Sequence, residues 1–193
     1  MTVEEIFSNI NAHMLKGISI HNQIANAFSF LNLFGYQKCH EYHYYEESNN
    51  CRCLNDFYLN QYHKLIVEQK IDELSNPIIP SSWYKYTRED VDINTKRQAV
   101  RDLYKKWVDW ETETRDSLQR YYKQLYDLDE ICAAKKIAYF LEDVNNELCN
   151  AYQDYIYLKS VDYDIVHITE LQDSLLKTYK KKIHNLYKGG ENI

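Results

Sequence analysis

Several residues able to hold a metal or a proton stand where helical spacing otherwise puts apolar side chains. His21 falls between Ile18 and Ala25. Glu47 lies seven residues before Leu54, with His43 one turn before it and Asn50 one turn after. Glu111 follows Trp107 by four residues and precedes Leu118 by seven. Glu147 lies between Val144 and Ala151, with Asn150 three residues on. Carboxylates and imidazoles gathered in a low-dielectric interior either share protons, one carboxyl pushed up by the next, or hold a cation. Three carboxylates, an imidazole and two amides suffice for one hard divalent ion such as Mn²⁺ or Mg²⁺; an amide oxygen is a poorer ligand for iron than imidazole. Without a metal the same residues form a buried polar network of carboxylates, amides, tyrosine hydroxyls and His21.

Other chemistry finds less support. His40, His43, Glu46 and Glu47 cluster in sequence, with Cys51-Arg52-Cys53 two turns on. Cys-x-Cys on a helix turns its two sulfurs about 200° apart, and no second Cys/His pair of the usual spacing exists, which argues against structural zinc. The sequence has no glycine-rich phosphate loop, no Gly-x-Ser-x-Gly and no suggestive Ser/His/Asp set, so nucleotide hydrolysis and serine-type acyl transfer are without support.

The elements that must position these residues are long helices. Only four glycines and two prolines occur among 193 residues, too few for a turn-rich sandwich or barrel, while hydrophobic residues make up 45% of the chain and exclude disorder. Apolar positions recur at helical spacing over about residues 3–34, 36–69, 93–126, 130–160 and 164–187, with Gly35 marking the first break. Between about 70 and 92 lie both prolines, Pro77 and Pro80, and no sustained period; Thr87 to Asp90 has the spacing of a short capped turn, and Asp92 or Asn94 caps the third helix. Short turn, long crossover, short turn predicts one all-α domain: a four-helix bundle whose single long connection joins the second and third helices, followed by an additional C-terminal helix. The basic end of that last helix, Lys177 to Lys188, complements a helix C-terminus.

The residues resemble the ferritin-like superfamily, which places a Glu on its first and third helices and Glu-x-x-His on its second and fourth. Glu47-Ser48-Asn49-Asn50 and Glu147-Leu148-Cys149-Asn150 look like the two Glu-x-x-His motifs with Asn in place of His; Glu111 matches the third-helix Glu, and His21 stands where the first-helix Glu would be. The resemblance implies a ferritin-like bundle over about residues 3–160. The altered motifs imply no resident cofactor, with iron or manganese in a reduced ligand set as the alternative: on the resemblance Glu47, Glu111, Glu147 and His21 would be the ligands, Asn50 and Asn150 weak ligands or hydrogen-bond partners that orient them, and His43 such a partner. The sequence is also similar, in Ile79-Pro80-Ser81-Ser82-Trp83-Tyr84 and in the run Trp107 to Thr112, to small ferritin-like proteins of low-GC Gram-positive bacteria and their prophages; this implies lineage and no activity.

Charge and composition complete the expectation. Against 23 Lys and Arg stand 29 Asp and Glu, a net charge of −6, which disfavours phosphate neutralisation and leaves nucleic-acid binding or mimicry resting on the acidic balance alone. Five cysteines, an odd number, and an N-terminus without a basic and apolar leader suggest a cytoplasmic chain with reduced thiols; no run is long and apolar enough to span a membrane. Nineteen tyrosines suit protein contacts, with Trp83, Tyr84 and Tyr86 as the expected partner surface. By analogy with ferritin-like pairs, a homodimer through the first two helices would use His13, Tyr42 and Tyr45. Loss of both motif histidines makes the leading expectation a non-catalytic binding or regulatory protein, phage- or mobile-element-encoded, acting through a protein partner. The alternative is a metal-binding ferritin-like oxidase or storage protein.

Overall fold

The structure, a computed structural model, describes residues 1–67, 83 and 87–188. Its helices are α1 (Val3–Phe30), α2 (Phe34–Tyr62), α3 (Ile93–Asp127), α4 (Ile131–Ser160) and α5 (Ile165–Lys188), and no strand occurs among the described residues. Each boundary has a local cause. Thr2 and Glu5 form a reciprocal capping box at the start of α1, and Asp92, not Asn94, caps α3 by accepting from the Thr95 N–H. Asn32 and Asp129 take the left-handed conformation after α1 and α3, where the Leu33 N–H returns to the Phe28 carbonyl and the Glu130 N–H to that of Leu125. The break between the first helices is thus made by Asn32; Gly35 lies inside the first turn of α2.

The second helix is shorter than its apolar spacing suggests. The stripe continues to Leu65, but His63 adopts a left-handed conformation and ends α2 at Tyr62, leaving Leu65 79% exposed. Residues 63–92 then join opposite ends of the bundle, because Tyr58 packs with the start of α1 whereas Val100 packs with its end. The expected Pro77 and Pro80 breaks, Tyr84 and Tyr86 lie outside the described residues. Trp83 is half-buried and stacks on Phe30 at 6.1 Å, so it serves the bundle's own packing.

Helices α1 and α2 pair, as do α3 and α4, and α1 also packs on α3. The apolar interior is split in two. One cluster includes Ile24, Phe28, Tyr36, Leu103 and Trp107; the other includes Phe7, Ile10, Leu54, Leu125 and Phe140. On α2, α3 and α4 the gap between the clusters falls where the sequence inserts its polar residues, His40 to Glu47, Glu111 and Thr114, and Glu147; on α1 it falls at Gly17, with His21 just beyond it between Ile20 and Ile24. Burying a side chain such as Leu contributes about 1.5–3 kcal/mol, and the two clusters carry the cost of the polar layer between them.

Helix α5 doubles back from the end of α4 and runs beside the first half of α2. Tyr36 donates its hydroxyl to the Ile168 carbonyl at 2.9 Å, Tyr179 packs on Tyr42, and Arg97 of α3 donates to the carbonyls of Asp162 and Tyr163 to fix the turn that starts α5. This helix therefore covers Tyr42. His13 is also turned inward, stacked on Trp110 at 4.4 Å and bonded to the Thr114 hydroxyl at 2.8 Å. Of the three residues expected on a dimer surface, Tyr45 is the exposed one.

Candidate metal centre

Helical periodicity decides which polar residues enter the layer. On α2 the buried positions run Cys39/His40, His43, Glu47, Cys51, Leu54 and Tyr58, so His40, His43 and Glu47 share one stripe. Beyond Glu47 the stripe continues through Cys51, four residues on; Asn50 lies about 100° aside and is half-exposed. On α4 the stripe passes from Val144 through Glu147 to Ala151, and Asn150 is exposed. His21 and Glu111 are both 0% exposed.

Two linked groups result. In the first, His21 and His40 share a hydrogen bond between their Nδ1 atoms at 3.0 Å, which leaves His21 Nε2 facing Glu111 Oε1 at 3.4 Å. Trp107 donates Nε1 to that same Glu111 oxygen at 3.0 Å. Burial is the main cause that drives both imidazoles to the neutral form, His21 to a pKa of about 3 and His40 well below the usual histidine range. Burial likewise pushes Glu111 up to about 7, against the opposing effects of His43 and the Trp107 bond.

The second group centres on His43. Its Nδ1 lies 3.3 Å from Glu147 Oε1 and 3.5 Å from Glu46 Oε2. Burial opposes a charge on His43, but the Glu147 carboxylate, with Cys39 and Glu46 close by, outweighs it and holds the ring well above the ordinary histidine range. Glu46 is held at about 2: burial raises it, and the closeness of His43, Glu147 and the Tyr42 hydroxyl prevails. Tyr42 donates to Glu46 Oε1 at 2.9 Å and so fixes the carboxylate's direction. Glu147 rises to about 7 through burial, partly opposed by His43. Glu47 lies nearby, pushed well above the carboxylate range by burial and by Glu147 and Glu111.

One ligand atom each from His43, Glu46 and Glu147 fall within 4.8 Å of one another. Adjacent ligands of a six-coordinate ion with bonds of about 2.1 Å stand about 3 Å apart, so the spacing suits a first-row divalent cation, and a mixed imidazole and carboxylate set suits iron or manganese. Among the described residues His21 Nε2, both ring nitrogens of His43 and Glu111 Oε2 are buried without a hydrogen-bond partner. Buried polar atoms rarely stay unpaired, and four in one layer mark a site built for something more than its own side chains. The residues present fit a metal. A cleft of about 190 Å³ opens beside them between α2, α4 and α5, lined by His43, Glu46, Glu147 and, among others, Asn150, Tyr179 and Lys182.

The structure thus gathers His21, Glu47, Glu111 and Glu147 into one layer and makes His43 a central member of it. Asn150 lies on the cleft, and Asn50 is not among the cleft's lining residues. Glu46 and His40 stand out in sequence only as members of the His-rich run on the second helix; their approach to the layer depends on which edge of α2 faces α4 and α5, and no local spacing reports that.

No protein-family model matches the sequence, and no curated protein does. Solved structures do share the fold. An engineered closed form of the Archaeoglobus fulgidus ferritin superposes with a TM-score of 0.72 at 12% identity over 91% of this chain and 96% of that one. The open-pore ferritin of the same archaeon gives 0.71 at 12% identity, over 89% and 93%. A PmFTN variant soaked in iron gives 0.69 at 12% identity, over 89% and 97%. The chain has the ferritin four-helix fold.

Proposed function

We propose that this chain is a metal-binding ferritin-like protein that holds iron or manganese in the mid-bundle layer and acts on it as an oxidase or a store. The observation that carries the reading is His43 between Glu46 and Glu147, with neither of its buried ring nitrogens in a hydrogen bond. The likeness to ferritins, one of them a variant soaked in iron, supports it. A purely non-catalytic role drew its motive from the missing motif histidines; three histidines from other positions, His21, His40 and His43, occupy the layer instead.

His43, Glu46 and Glu147 would be the primary ligands, with Glu47, Glu111 and His21 on the other side of the layer. Bound iron would supply redox chemistry toward dioxygen. The chain's own residues do the rest. Tyr42 holds Glu46, Trp107 holds Glu111, and His40 holds His21, each through a hydrogen bond that fixes a ligand before any ion arrives. His43, Glu111 and Glu147 keep protons near neutrality and would release them as a cation took over their charge balance, which frees a His43 ring nitrogen to ligate. The two apolar clusters exclude water along the bundle axis.

Elemental analysis of untagged protein purified without chelator, before and after incubation with Fe²⁺ or Mn²⁺, tests the reading. Stoichiometric metal that is lost in Glu147→Ala, with Fe²⁺-dependent oxygen uptake, is the expected result. Protein that stays metal-free after both incubations overturns it.

A further inference from the structure

A site closed above and below by apolar side chains must be reached from the flank. We propose that the cleft between α2, α4 and α5 is the route by which divalent cations reach the mid-bundle layer, and that Lys182 is the positive charge they must pass. The proposal rests on the metal reading given above.

Along the bundle axis the polar layer is sealed on one side by Leu103, Tyr104 and Trp107 and on the other by Leu118 and Val144, all in the apolar clusters. A hydrated ion does not cross such packing. The cleft offers a lateral path instead. Of the residues that line it, His43 is 3% exposed and presents ring nitrogens with no hydrogen-bond partner, and Glu46 and Glu147 line it as well, so the path ends on ligand atoms. Asp143 and Asn146 also line it and give the path polar oxygens.

Among the described residues Lys182 is the one lysine or arginine on this lining. Its ammonium lies 4.8 Å from the centre of the Tyr42 ring and 4.9 Å from that of Tyr179, so two aromatic faces hold the charge of this exposed lysine at the mouth of the cleft that Glu46 also lines. A positive charge there offsets part of the carboxylates' field at the cleft mouth. It also repels an approaching divalent cation and lowers its local concentration. The fifth helix thereby sets the rate at which the centre fills, while the ligands set how much it holds.

Stopped-flow mixing with Co²⁺, followed by the visible absorption of the bound ion, separates the two. In Lys182→Met the association rate rises about three-fold or more at low ionic strength, and the ratio to the parent falls to about one in about 0.5 M salt, where charge effects are screened. In Asn146→Trp, an exposed position on the lining, the rate falls about ten-fold, and the amount bound at equilibrium matches the parent in both variants. Parent-like rates in both, with full binding at equilibrium, overturn the proposed route. A parent protein that binds no Co²⁺ at equilibrium overturns the metal reading itself, and the route with it.

Discussion

Gly17 of α1 leaves the space into which the Glu47 carboxylate of α2 projects: a Cβ at position 17 would lie 3.2 Å from Glu47 Oε1 and 3.1 Å from Trp110 Cζ2. Glycine in mid-helix costs about 0.5–1 kcal/mol relative to alanine. Its presence here is explained by the carboxylate.

Gly17→Ala therefore trades one effect against the other. The helix gains about 1 kcal/mol, and the contact takes it back, because Trp110 is backed by the stacked His13 and only the Glu47 carboxylate can turn away. Thermal unfolding should shift by no more than a few degrees, whereas Mn²⁺ affinity should weaken about ten-fold as Glu47 leaves its position. Parent-like affinity in a titration of the alanine variant would separate Glu47 from the centre.

Gly35 makes a tighter demand. A Cβ there would lie 1.9 Å from the Gln172 carbonyl oxygen and 2.7 Å from its carbon, which are backbone atoms of α5 that cannot swing aside. Gly35→Ala should lift α5 from α2 and cost about 2 kcal/mol or more, lowering the melting temperature by roughly 4–8 °C. Faster amide exchange confined to residues 165–186 would identify α5 as the element displaced; uniform exchange behaviour would refute it.

Asp154 gives stability a pH dependence away from the centre. Burial pushes its carboxyl up to about 6, although the Tyr104 hydroxyl, 3.3 Å away, donates to it. Since the folded value lies above the unfolded value of about 3.9, the stability it allows is complete below pH about 4 and is lost as pH rises through 6. Asp154→Asn keeps an acceptor for Tyr104 without the charge. It should stabilise the protein by about 1–2 kcal/mol at pH 7.5 and by nothing at pH 4, a difference read by denaturant melts at the two values.

His13 works in the opposite sense. Burial first, then Lys16 and Arg120, lower it to about 4, below the unfolded value of about 6.5. Its contribution is present above pH 6.5 and lost as pH falls toward 4, where the ring must charge against Trp110 and Thr114. Relative to His13→Gln, the parent should lose ground on acidification from pH 7 to pH 5. An unchanged gap between the two melting curves would remove His13 as an acid-sensitive element.

The bundle is legible in the sequence because each helix carries a long apolar stripe, and the polar layer because polar residues interrupt that stripe near its middle on all four. Three things were hidden. The end of α2 has no glycine or proline to announce it, since His63 makes the left-handed turn itself. Gly35 reads locally as a break and acts instead through α5, a contact between residues far apart in the chain. The edge of α2 that carries Tyr42 and Glu46 is polar by its own spacing and becomes part of the site only because α4 and α5 close over it.

The fourth residue of each Glu-x-x-Asn motif is where sequence and structure part most clearly, and this yields a direct comparison. Asn50 sits one residue short of the buried position Cys51, whereas His43, two turns before Asn50, places its ring between Glu46 and Glu147. If the motif spacing governed ligation, Asn50→Ala would weaken binding and His43→Ala would matter less. The geometry demands the reverse: Asn50→Ala should leave Mn²⁺ affinity within about two-fold of the parent, and His43→Ala should weaken it about 100-fold or abolish it. Asn50→His would not strengthen binding, because position 50 lies a turn beyond Glu46 along α2 and is not among the residues that line the cleft. Mn²⁺ titration followed by loss of the free-ion electron paramagnetic resonance signal reads all three, and a larger loss in the Asn50 variant than in the His43 variant would return the ligand set to the motif.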